Sequence, residues 1–269
     1  MDIPFDLHSH CTLSFDGIST AEDMIKQAVK LGIKYYALTD HVDLGDHPDP
    51  EFDLGATVNG AKELIPPLQE KYADRVELLY GVELGQPTHE PELAGKLLRE
   101  NDYDFVIGSI HNIRGHDDFY FLDYNVIDPV KLLDAYFEEL LEMARWGKFD
   151  IMAHITYPLR YIVGDCGIDI DMTRYDAVID DIFRELINNG RGIEINTSGL
   201  RQKIGRMLPD VGYVTRYRQL GGKILTIGSD AHCADDLGKG IADGIAAARE
   251  AGFTEIAVFR KRKPLFIGI

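Results

Sequence analysis

Two histidines one residue apart, His8 and His10, end an apolar stretch near the start of the sequence. Side chains alternate between the two faces of a β-strand, so both imidazoles would point to the same side. Asp16 follows in the next loop. Imidazole and carboxylate groups are common ligands of divalent metal ions. The segment therefore indicates either part of a metal site or a strand whose histidines have other partners.

The remaining histidines favour the metal site. Six of the nine histidines lie at the ends of apolar runs, while His47, His89 and His116 fall in loops. A single buried histidine is usually satisfied by a neighbour, but six imidazoles at one place leave many polar atoms to satisfy. Acidic residues join them, and the predicted ligands are His8, His10, Asp16, His41, Glu83, His111, His154, Asp230 and His232.

Nine candidate ligands exceed the needs of one ion. A catalytic zinc takes about three protein ligands and a water. We therefore expect two or three divalent ions, with Glu83 as a bridging ligand. A ligand set of nitrogen and oxygen donors without thiolate suits Zn, Mn or Fe. It does not indicate which of these metals is bound.

The elements that must position these residues alternate along the chain. Apolar runs predict strands at 5–10, 35–42, 76–85, 104–113, 149–155, 192–198 and 223–232. Amphipathic patterns predict helices at 20–32, 57–74, 91–100, 129–147, 173–190, 209–221 and 235–252. Thr20 and Asp23 are typical of a helix start, and Gly32 is typical of a helix stop.

Seven βα units with apolar strands predict a parallel sheet covered by helices, the α/β class. Polar residues stand at the carboxyl end of nearly every strand, which favours a closed barrel, because barrel enzymes build their sites there. Without a visible linker or repeat, residues 1–269 are expected to form a single domain. The last segment, 254–269, looks like an extra strand and a tail, and its basic run like a solvated face.

Composition limits the partners and the compartment. The formal net charge of −17 argues against nucleic acid as a partner, while a small phosphorylated ligand stays possible. No apolar run approaches the ~20 residues that span a bilayer, so no membrane association is expected. Three scattered cysteines without a CxxC pair predict a cytoplasmic location. Composition does not indicate the oligomeric state.

The motif strings, in their order, resemble the PHP (polymerase and histidinol phosphatase) family of metal-dependent phosphoesterases. They are HxH at 8–10, TDH at 39–41, GVE at 81–83, IGSIH at 107–111, MAH at 152–154 and GSDAH at 228–232. The resemblance covers nearly the whole chain and implies a distorted (β/α)7 barrel. Within the family, HSHCTLSFDG, INTSGLR and IGSDAH are most similar to stand-alone L-histidinol-phosphate phosphatases.

That resemblance assigns the ligands to three ions and implies a reaction. His8, His10, Glu83 and Asp230 would hold one ion, Glu83, His111 and His154 a second, and Asp16, His41 and His232 a third. The implied reaction is hydrolysis of a phosphomonoester, L-histidinol phosphate, by a hydroxide that bridges the first two ions. No serine or cysteine nucleophile is needed.

Two arginines are placed to bind the phosphate. Arg160 follows the fifth strand and Arg201 the sixth, and a guanidinium can donate two hydrogen bonds to a phosphate at once. Together with His41 they are the predicted catalytic residues. Weaker candidates are Arg114 and Arg206 for phosphate, Glu194 and Asn196 as supporting groups, Asp40 without a settled role and Asp6 as structural. The acidic segment 165–171 could pair with a substrate ammonium, although an exposed acidic loop explains it more simply.

Three alternatives remain open from the sequence. A related phosphoesterase could act on nucleotides, sugar phosphates or phosphotyrosine. A barrel amidohydrolase could cleave C–N bonds, although that class usually carries a lysine at a middle strand end and no lysine stands there. A metal-binding module without catalysis would leave the ligands and both arginines idle.

Overall fold

Parallel strands form the centre of the molecule. The computed structural model describes residues 4–45 and 54–269. The parallel strands are β1 (Phe5–Asp6), β2 (Tyr35–Leu38), β3 (His41–Asp43), β4 (Glu77–Gly85), β5 (Phe105–Ser109), β6 (Ile151–Met152), β7 (Gly192–Asn196) and β8 (Leu225–Gly228). Their hydrogen-bonded order is β1-β2-β4-β5-β6-β7-β8, and β3 continues the line of β2 along β4.

The first and last strands meet and close the ring. The Leu7 N–H donates to the Ile227 carbonyl at 3.3 Å, and the His10 N–H donates to Ala231 at 2.8 Å. In the opposite direction the Asp230 N–H donates to the His8 carbonyl at 2.8 Å. The predicted seven-stranded barrel is confirmed. The predicted strand at 5–10 is divided in two: β1 pairs with β2, and the residues after β1 pair with β8 and with the residues that follow β8.

Helices surround the strands in the predicted order. They are α1 (Ala21–Leu31), α2 (Leu54–Tyr72), α3 (Pro91–Glu100), α4 (Pro129–Trp146), α5 (Asp176–Asn188), α6 (Val211–Gln219) and α7 (Ile241–Glu250). At the start of α1, the Thr20 side chain accepts a hydrogen bond from the Asp23 N–H, and Gly32 ends the helix at a φ of 73°. Both predicted helix signals are confirmed, because an N-cap hydroxyl satisfies a free N–H and glycine adopts the left-handed turn without strain.

The final segment is an antiparallel hairpin, and the prediction of one strand and a tail was wrong. Strands β9 (Glu255–Arg260) and β10 (Lys263–Gly268) are joined by a turn at Lys261 and Arg262, both with positive φ. The Arg262 N–H donates to the Asp104 carbonyl at 2.8 Å, so the hairpin lies at the amino-terminal end of the barrel.

Two basic residues of the hairpin, Arg260 and Arg262, are paired rather than only solvated. The Arg262 guanidinium pairs with the buried Asp150, which precedes β6, and Arg260 pairs with Glu77 at the start of β4. Phe259 stacks on Phe105 with ring centroids 5.0 Å apart. Charge pairing and aromatic packing therefore fix the hairpin against the barrel.

Two further predictions concern membrane association and disulfide bonds. Within residues 4–45 and 54–269, no helix combines the length and apolar character that crossing a membrane requires. Cys11, Cys166 and Cys233 form no disulfide. His47, which was predicted in a loop, lies outside the described residues.

Candidate metal centre

The strand ends bring the predicted ligands to one end of the barrel. Parallel strands expose their carboxyl ends at the same edge, so residues far apart in sequence converge there. Of the nine, only Asp16 lies far from a strand end, in the loop that leads from β1 to α1. The others follow β1 (His8, His10), open β3 (His41), lie in β4 (Glu83), or follow β5 (His111), β6 (His154) and β8 (Asp230, His232).

Glu83 lies at the centre, and its two oxygens face different histidines. Oε2 is 3.1 Å from His8 Nε2 and 3.1 Å from His41 Nδ1. Oε1 is 3.2 Å from His111 Nε2 and 2.9 Å from His154 Nε2. The carboxylate is fully buried. This arrangement is that of a carboxylate able to bridge two cations.

His8, His10 and Asp230 form a group beside one oxygen of Glu83. The Nε2 atoms of His8 and His10 are 3.1 Å apart, and His10 Nε2 is 3.4 Å from Asp230 Oδ1. Two ligand atoms that each lie ~2.1 Å from one ion are separated by roughly 3.0–3.5 Å. The spacing of these donor atoms fits a shared metal ion.

Asp16 joins His41 and His232 at the more exposed side of the site. Asp16 Oδ2 is 3.0 Å from His232 Nε2, and Asp16 Oδ1 is 3.8 Å from His41 Nε2. The imidazole of His10 packs against those of both His41 and His232, at centroid distances of 4.1 and 4.2 Å. The Asp16 side chain is 41% exposed, which makes it the most accessible of the nine.

Four groups of side chains place ligand atoms within 4.8 Å of one another, close enough to hold a metal ion. They are His8–His10–Asp230, His8–Glu83–His154, His41–Glu83–His111 and His10–His41–His232. The groups share members, as expected when neighbouring ions share ligands. Asp16 belongs to none of them.

Supporting carboxylates orient two of the histidines. His8 Nδ1 donates to Glu194 Oε1 at 2.7 Å, and His111 Nδ1 donates to Asp43 Oδ1 at 3.0 Å. With Nδ1 protonated, the Nε2 lone pair of each ring faces Glu83. Such outer carboxylates fix the tautomer and raise the basicity of a metal-binding imidazole. The donor set therefore fits bound cations.

Glycines make room for those carboxylates. A Cβ at Gly228 would lie 2.2 Å from the Cβ of His8 and 2.7 Å from Glu194 Oε1. A Cβ at Gly85 would lie 1.7 Å from Asp43 Oδ1. All three distances are shorter than van der Waals contact, so any larger residue at Gly85 or Gly228 would displace a supporting carboxylate.

Burial and neighbouring charges together shift the pKa values of the predicted ligands. Burial would raise the pKa of Glu83, but His8, His111 and His41 hold it well below the usual range. Burial would lower the pKa of His41, but Asp16 and Glu83 raise it to about 9. Burial, with His41 and His232 beside it, lowers the pKa of His10 to about 3. Ionised carboxylates thus lie among buried imidazoles, where cations can replace protons.

Two of the predicted ligands have left-handed backbones. The φ angles are 22° at His154 and 53° at Asp230. Non-glycine residues in this region carry strain and cluster at functional sites. The surrounding strands hold both residues in place, since the Asp230 N–H is bonded to His8 and the His154 N–H donates to Glu194.

Arg160 and Arg201 lie on the same side of the site but differ in exposure to its cavity. Arg160 lines the cavity and donates from Nη2 to Ser198 Oγ at 2.8 Å and to Asp230 Oδ2 at 3.2 Å. Arg201 donates from Nη2 to the Ser229 carbonyl at 2.8 Å and is not among the lining residues. Its buried Nη1 has no hydrogen-bond partner among the described residues.

The weaker candidates have mostly supporting contacts. Glu194 also accepts from Asn196 Nδ2, and Asp40 accepts from the Cys11 N–H at 2.7 Å and from Ser14 Oγ. Asp6, expected to be structural, accepts from the backbone N–H groups of Ser229 and Gly238.

The two weaker arginines lie outside this site. Arg114 pairs with Glu142 at 2.8 Å. Arg206 borders a different cavity, together with Asp169 of the acidic segment. In that segment Asp165 pairs with Lys203 at 3.1 Å. None of these residues lines the cavity above Glu83.

A cavity of about 430 Å³ opens above Glu83. Its floor consists of predicted metal ligands, and Arg160 lies on its wall. The rest of the wall is largely aromatic: Phe15, Tyr120, Phe121, Tyr157 and Tyr161. An anion fits beside Arg160 and, when cations are bound, above the floor, and an apolar or flat group fits the aromatic wall.

Sequence reasoning missed Asp43 and Asp118. Asp43 ends β3 and shares a strand face with His41, so the alternation that linked His8 to His10 could have found it. Asp118 lines the cavity from a loop after β5. Its sequence neighbourhood, RGHDDFY, carries no periodic signal that would have indicated this position.

Comparisons with known proteins agree with this geometry. The PHP domain family matches residues 6–198. The chain is 31% identical to a probable histidinol-phosphatase of Thermotoga maritima over 96% of each chain. It is 30% identical to a probable histidinol-phosphatase of Clostridium acetobutylicum, covering 96% of this chain and 97% of that one. The chain therefore belongs to the PHP domain family of proteins.

A solved structure extends the comparison to the fold. The histidinol phosphate phosphatase of Lactococcus lactis, crystallised with zinc, L-histidinol and phosphate, superposes with a TM-score of 0.83 at 22% identity. The match covers 97% of this chain and 98% of that chain. It confirms the distorted barrel over nearly the whole length.

Proposed function

We propose that the protein is a metal-dependent phosphomonoesterase that converts L-histidinol phosphate and water to L-histidinol and phosphate, a step of histidine biosynthesis. The observation that carries the proposal is the placement of Glu83, whose two oxygens face two sets of histidines below a cavity lined by Arg160. The names of the curated relatives support the substrate.

Two or three divalent ions (Zn, Mn or Fe) are proposed, held by the three ligand sets that the family resemblance implies. His8, His10, Glu83 and Asp230 hold the first, Glu83, His111 and His154 the second, and Asp16, His41 and His232 the third. The group His8–His10–Asp230 supports the first set most directly. The second set is supported by Glu83 Oε1, which lies 3.2 Å from His111 Nε2 and 2.9 Å from His154 Nε2. Bound ions lower the pKa of water towards neutrality and neutralise phosphoryl oxygens.

The chain's own residues bind and orient the ester. Arg160 donates to phosphoryl oxygens from the cavity wall, and its contact with Asp230 keeps it close to the charged floor. Arg201 is proposed as the second phosphate-binding residue, because its buried Nη1 still has a hydrogen to donate. His41 contributes as a catalytic residue at the third ligand set. Glu194 and Asp43 hold His8 and His111 in place.

The unit that carries this function is proposed to be a single domain spanning residues 1–269. The family match ends at 198, but Asp230 and His232 come from the last barrel strand and are part of the proposed ligand sets. The partner is a small phosphorylated substrate rather than nucleic acid, as the net charge of −17 suggests. A cytoplasmic location is proposed from the unpaired cysteines.

A panel of substrates tests the proposal. Protein loaded with Zn, Mn or Fe is assayed with L-histidinol phosphate, a nucleoside monophosphate, a sugar phosphate, phosphotyrosine and an amide. We expect the highest kcat/KM for L-histidinol phosphate. Preference for another ester would show that L-histidinol phosphate is not the main substrate. Turnover of the amide alone would identify the protein as a C–N hydrolase. Fewer than two ions per chain after loading would contradict the multinuclear site.

Arg160→Ala and Arg201→Ala test the phosphate-binding residues in the same assay. Each is expected to lower kcat/KM for the ester by roughly ten- to a hundredfold, since hydrogen bonds to charged groups contribute about 1.5–3 kcal/mol. Metal content should stay near normal. Arg114→Ala is the matched control, because Arg114 pairs with Glu142 away from the site. Unchanged kinetics in Arg160→Ala or Arg201→Ala would remove that arginine from the mechanism.

A further inference from the structure

One carboxylate in the cavity has no role in the proposed reaction. Of the described acidic residues that line it, Asp16, Glu83 and Asp230 belong to the proposed ligand sets. Asp118 does not. It lies immediately before the short helical turn at Phe119–Phe121, and its Oδ1 accepts a hydrogen bond from the Tyr120 N–H at 2.7 Å.

Asp118 lacks a fixed counterion. Within the described ranges, 4–45 and 54–269, it forms no ion pair with a lysine, arginine or histidine. Burial raises its pKa, although His111 opposes this effect. A carboxylate that is partly removed from water and has no cation beside it is stabilised when a cationic ligand binds.

Aromatic side chains line the same cavity as this carboxylate. Tyr120 and Phe121 are 68% and 61% exposed, although both line the cavity. Tyr120 packs edge-on against Tyr161 at 6.0 Å, and the Tyr161 hydroxyl is 2.9 Å from that of Tyr157. Aromatic faces attract organic cations, and the attraction grows when the site is desolvated.

The turn that carries Asp118 is anchored firmly. Phe119 is fully buried, and its N–H donates to the His111 carbonyl at 3.0 Å. The anchor ties the position of Asp118 to a proposed metal ligand. A substrate held at its phosphate by Arg160 therefore meets a fixed carboxylate elsewhere on the same cavity wall.

We propose that Asp118 is a specificity-determining residue that binds the ammonium group of an amino-alcohol phosphate, inside the aromatic wall of the cavity. The inference rests on the proposed hydrolysis of L-histidinol phosphate and deepens it. L-Histidinol carries its ammonium on the carbon next to the one that bears the ester oxygen. Asp118 thus selects esters with a positive charge close to the phosphate and disfavours neutral or anionic alcohols.

The test compares two esters that differ only in the amine. L-Histidinol phosphate and 3-(imidazol-4-yl)propyl phosphate are assayed with wild type, Asp118→Asn and Asp117→Asn. Asparagine at 118 keeps an oxygen for the Tyr120 N–H and removes the charge. Asp117 is the neighbouring exposed acid, which borders another cavity, so its variant is the matched control.

We expect wild type and Asp117→Asn to prefer the amine ester, and Asp118→Asn to lower the ratio of the two kcat/KM values roughly ten- to a hundredfold, mainly through KM. A ratio unchanged in Asp118→Asn would overturn the inference and leave the phosphatase proposal intact. Calorimetric binding of L-histidinol needs no turnover. There, Asp118→Asn should weaken binding about tenfold or more, and equal affinity in both variants would overturn the inference even if no ester were hydrolysed.

Discussion

Glu83 and Asp150 are buried carboxylates at opposite ends of one barrel, and their surroundings differ in kind. Histidines surround Glu83, and a cavity opens above it. Asp150 accepts from the Val106 N–H at 2.8 Å and pairs with Arg262, while Arg191 Nη1 is 3.5 Å away. Arginine is always protonated, whereas imidazole offers a lone pair when neutral.

This difference separates a carboxylate that supports the fold from one that is proposed to bind metal. Burial raises the pKa of Asp150 despite Arg262 beside it. At Glu83 the histidines overcome burial and hold the pKa well below its usual range. The carboxylate at the amino-terminal end is thus paired with arginines of the chain, while the carboxyl-terminal end presents imidazole and carboxylate groups that cations can bind.

The largest expected effect comes from Glu83→Gln. Removing one charge from the centre of the histidine cluster should lower kcat/KM for the phosphate ester on the order of a thousandfold, as loss of a charge-stabilising group does in other active sites. Metal content measured by mass spectrometry should fall with it. Glu77→Gln, on the same strand at the other end, is the control. Full activity and normal metal content in Glu83→Gln would show that Glu83, like Asp150, is not needed for metal binding or catalysis.

Asp150→Asn should act on stability instead. It leaves Arg262 and Arg191 without their carboxylate, and breaking a buried ion pair costs about 3 kcal/mol of unfolding free energy or more. Urea denaturation measures this loss, and metal content per folded molecule should stay unchanged. A loss of activity at unchanged stability would instead assign Asp150 to catalysis.

Glu194→Gln should weaken metal binding by about 10- to 100-fold, the range typical of outer carboxylates. The reason is that Glu194 accepts a hydrogen bond from His8 Nδ1 and thereby directs Nε2 towards Glu83. Competition with a chelating dye measures the affinity. Asp150→Asn should bind metal as wild type does, and equal affinities in the two variants would place Glu194 outside the support of the site.

The smallest effect is expected at the rim of the amino-terminal end. Arg260 pairs with Glu77, but the Arg260 side chain is 53% exposed. Exposed ion pairs contribute at most about 1 kcal/mol, so Arg260→Ala should change the unfolding free energy by less than that. Arg262→Ala, which opens the buried pair, should cost more. Equal losses in the two variants would show that burial does not set the strength of these pairs.

Local patterns predicted the barrel and the convergence of its strand ends. Alternation placed His8 and His10 on one face, and their Nε2 atoms are 3.1 Å apart. The same rule extends to His41 and Asp43, but the predicted strand ended at Val42 and missed the aspartate. The roles of the nine ligands and two arginines stay predictions.

Positions set by loop paths were not accessible from local patterns. The basic run of the last segment is predicted to be solvated, because no local pattern shows that Arg262 pairs with Asp150, 112 residues away in sequence. Asp118 reaches the cavity only because buried Phe119 anchors its turn. Arg201 follows a strand end as expected, yet its guanidinium bonds to the Ser229 carbonyl rather than lining the cavity. Tertiary contacts of this kind leave no periodic signal.

The closure of the ring between β1 and β8 has a consequence for the order in which the protein assembles. Asp6 and Ser229, which join across this seam, are 223 residues apart in sequence. Such distant contacts form late, because a long loop must close first. An ion held by the proposed ligands His8, His10 and Asp230 would bind only the closed ring and would stabilise it by mass action. The metal ion would then stabilise the contact between β1 and β8, the last contact of the barrel to form.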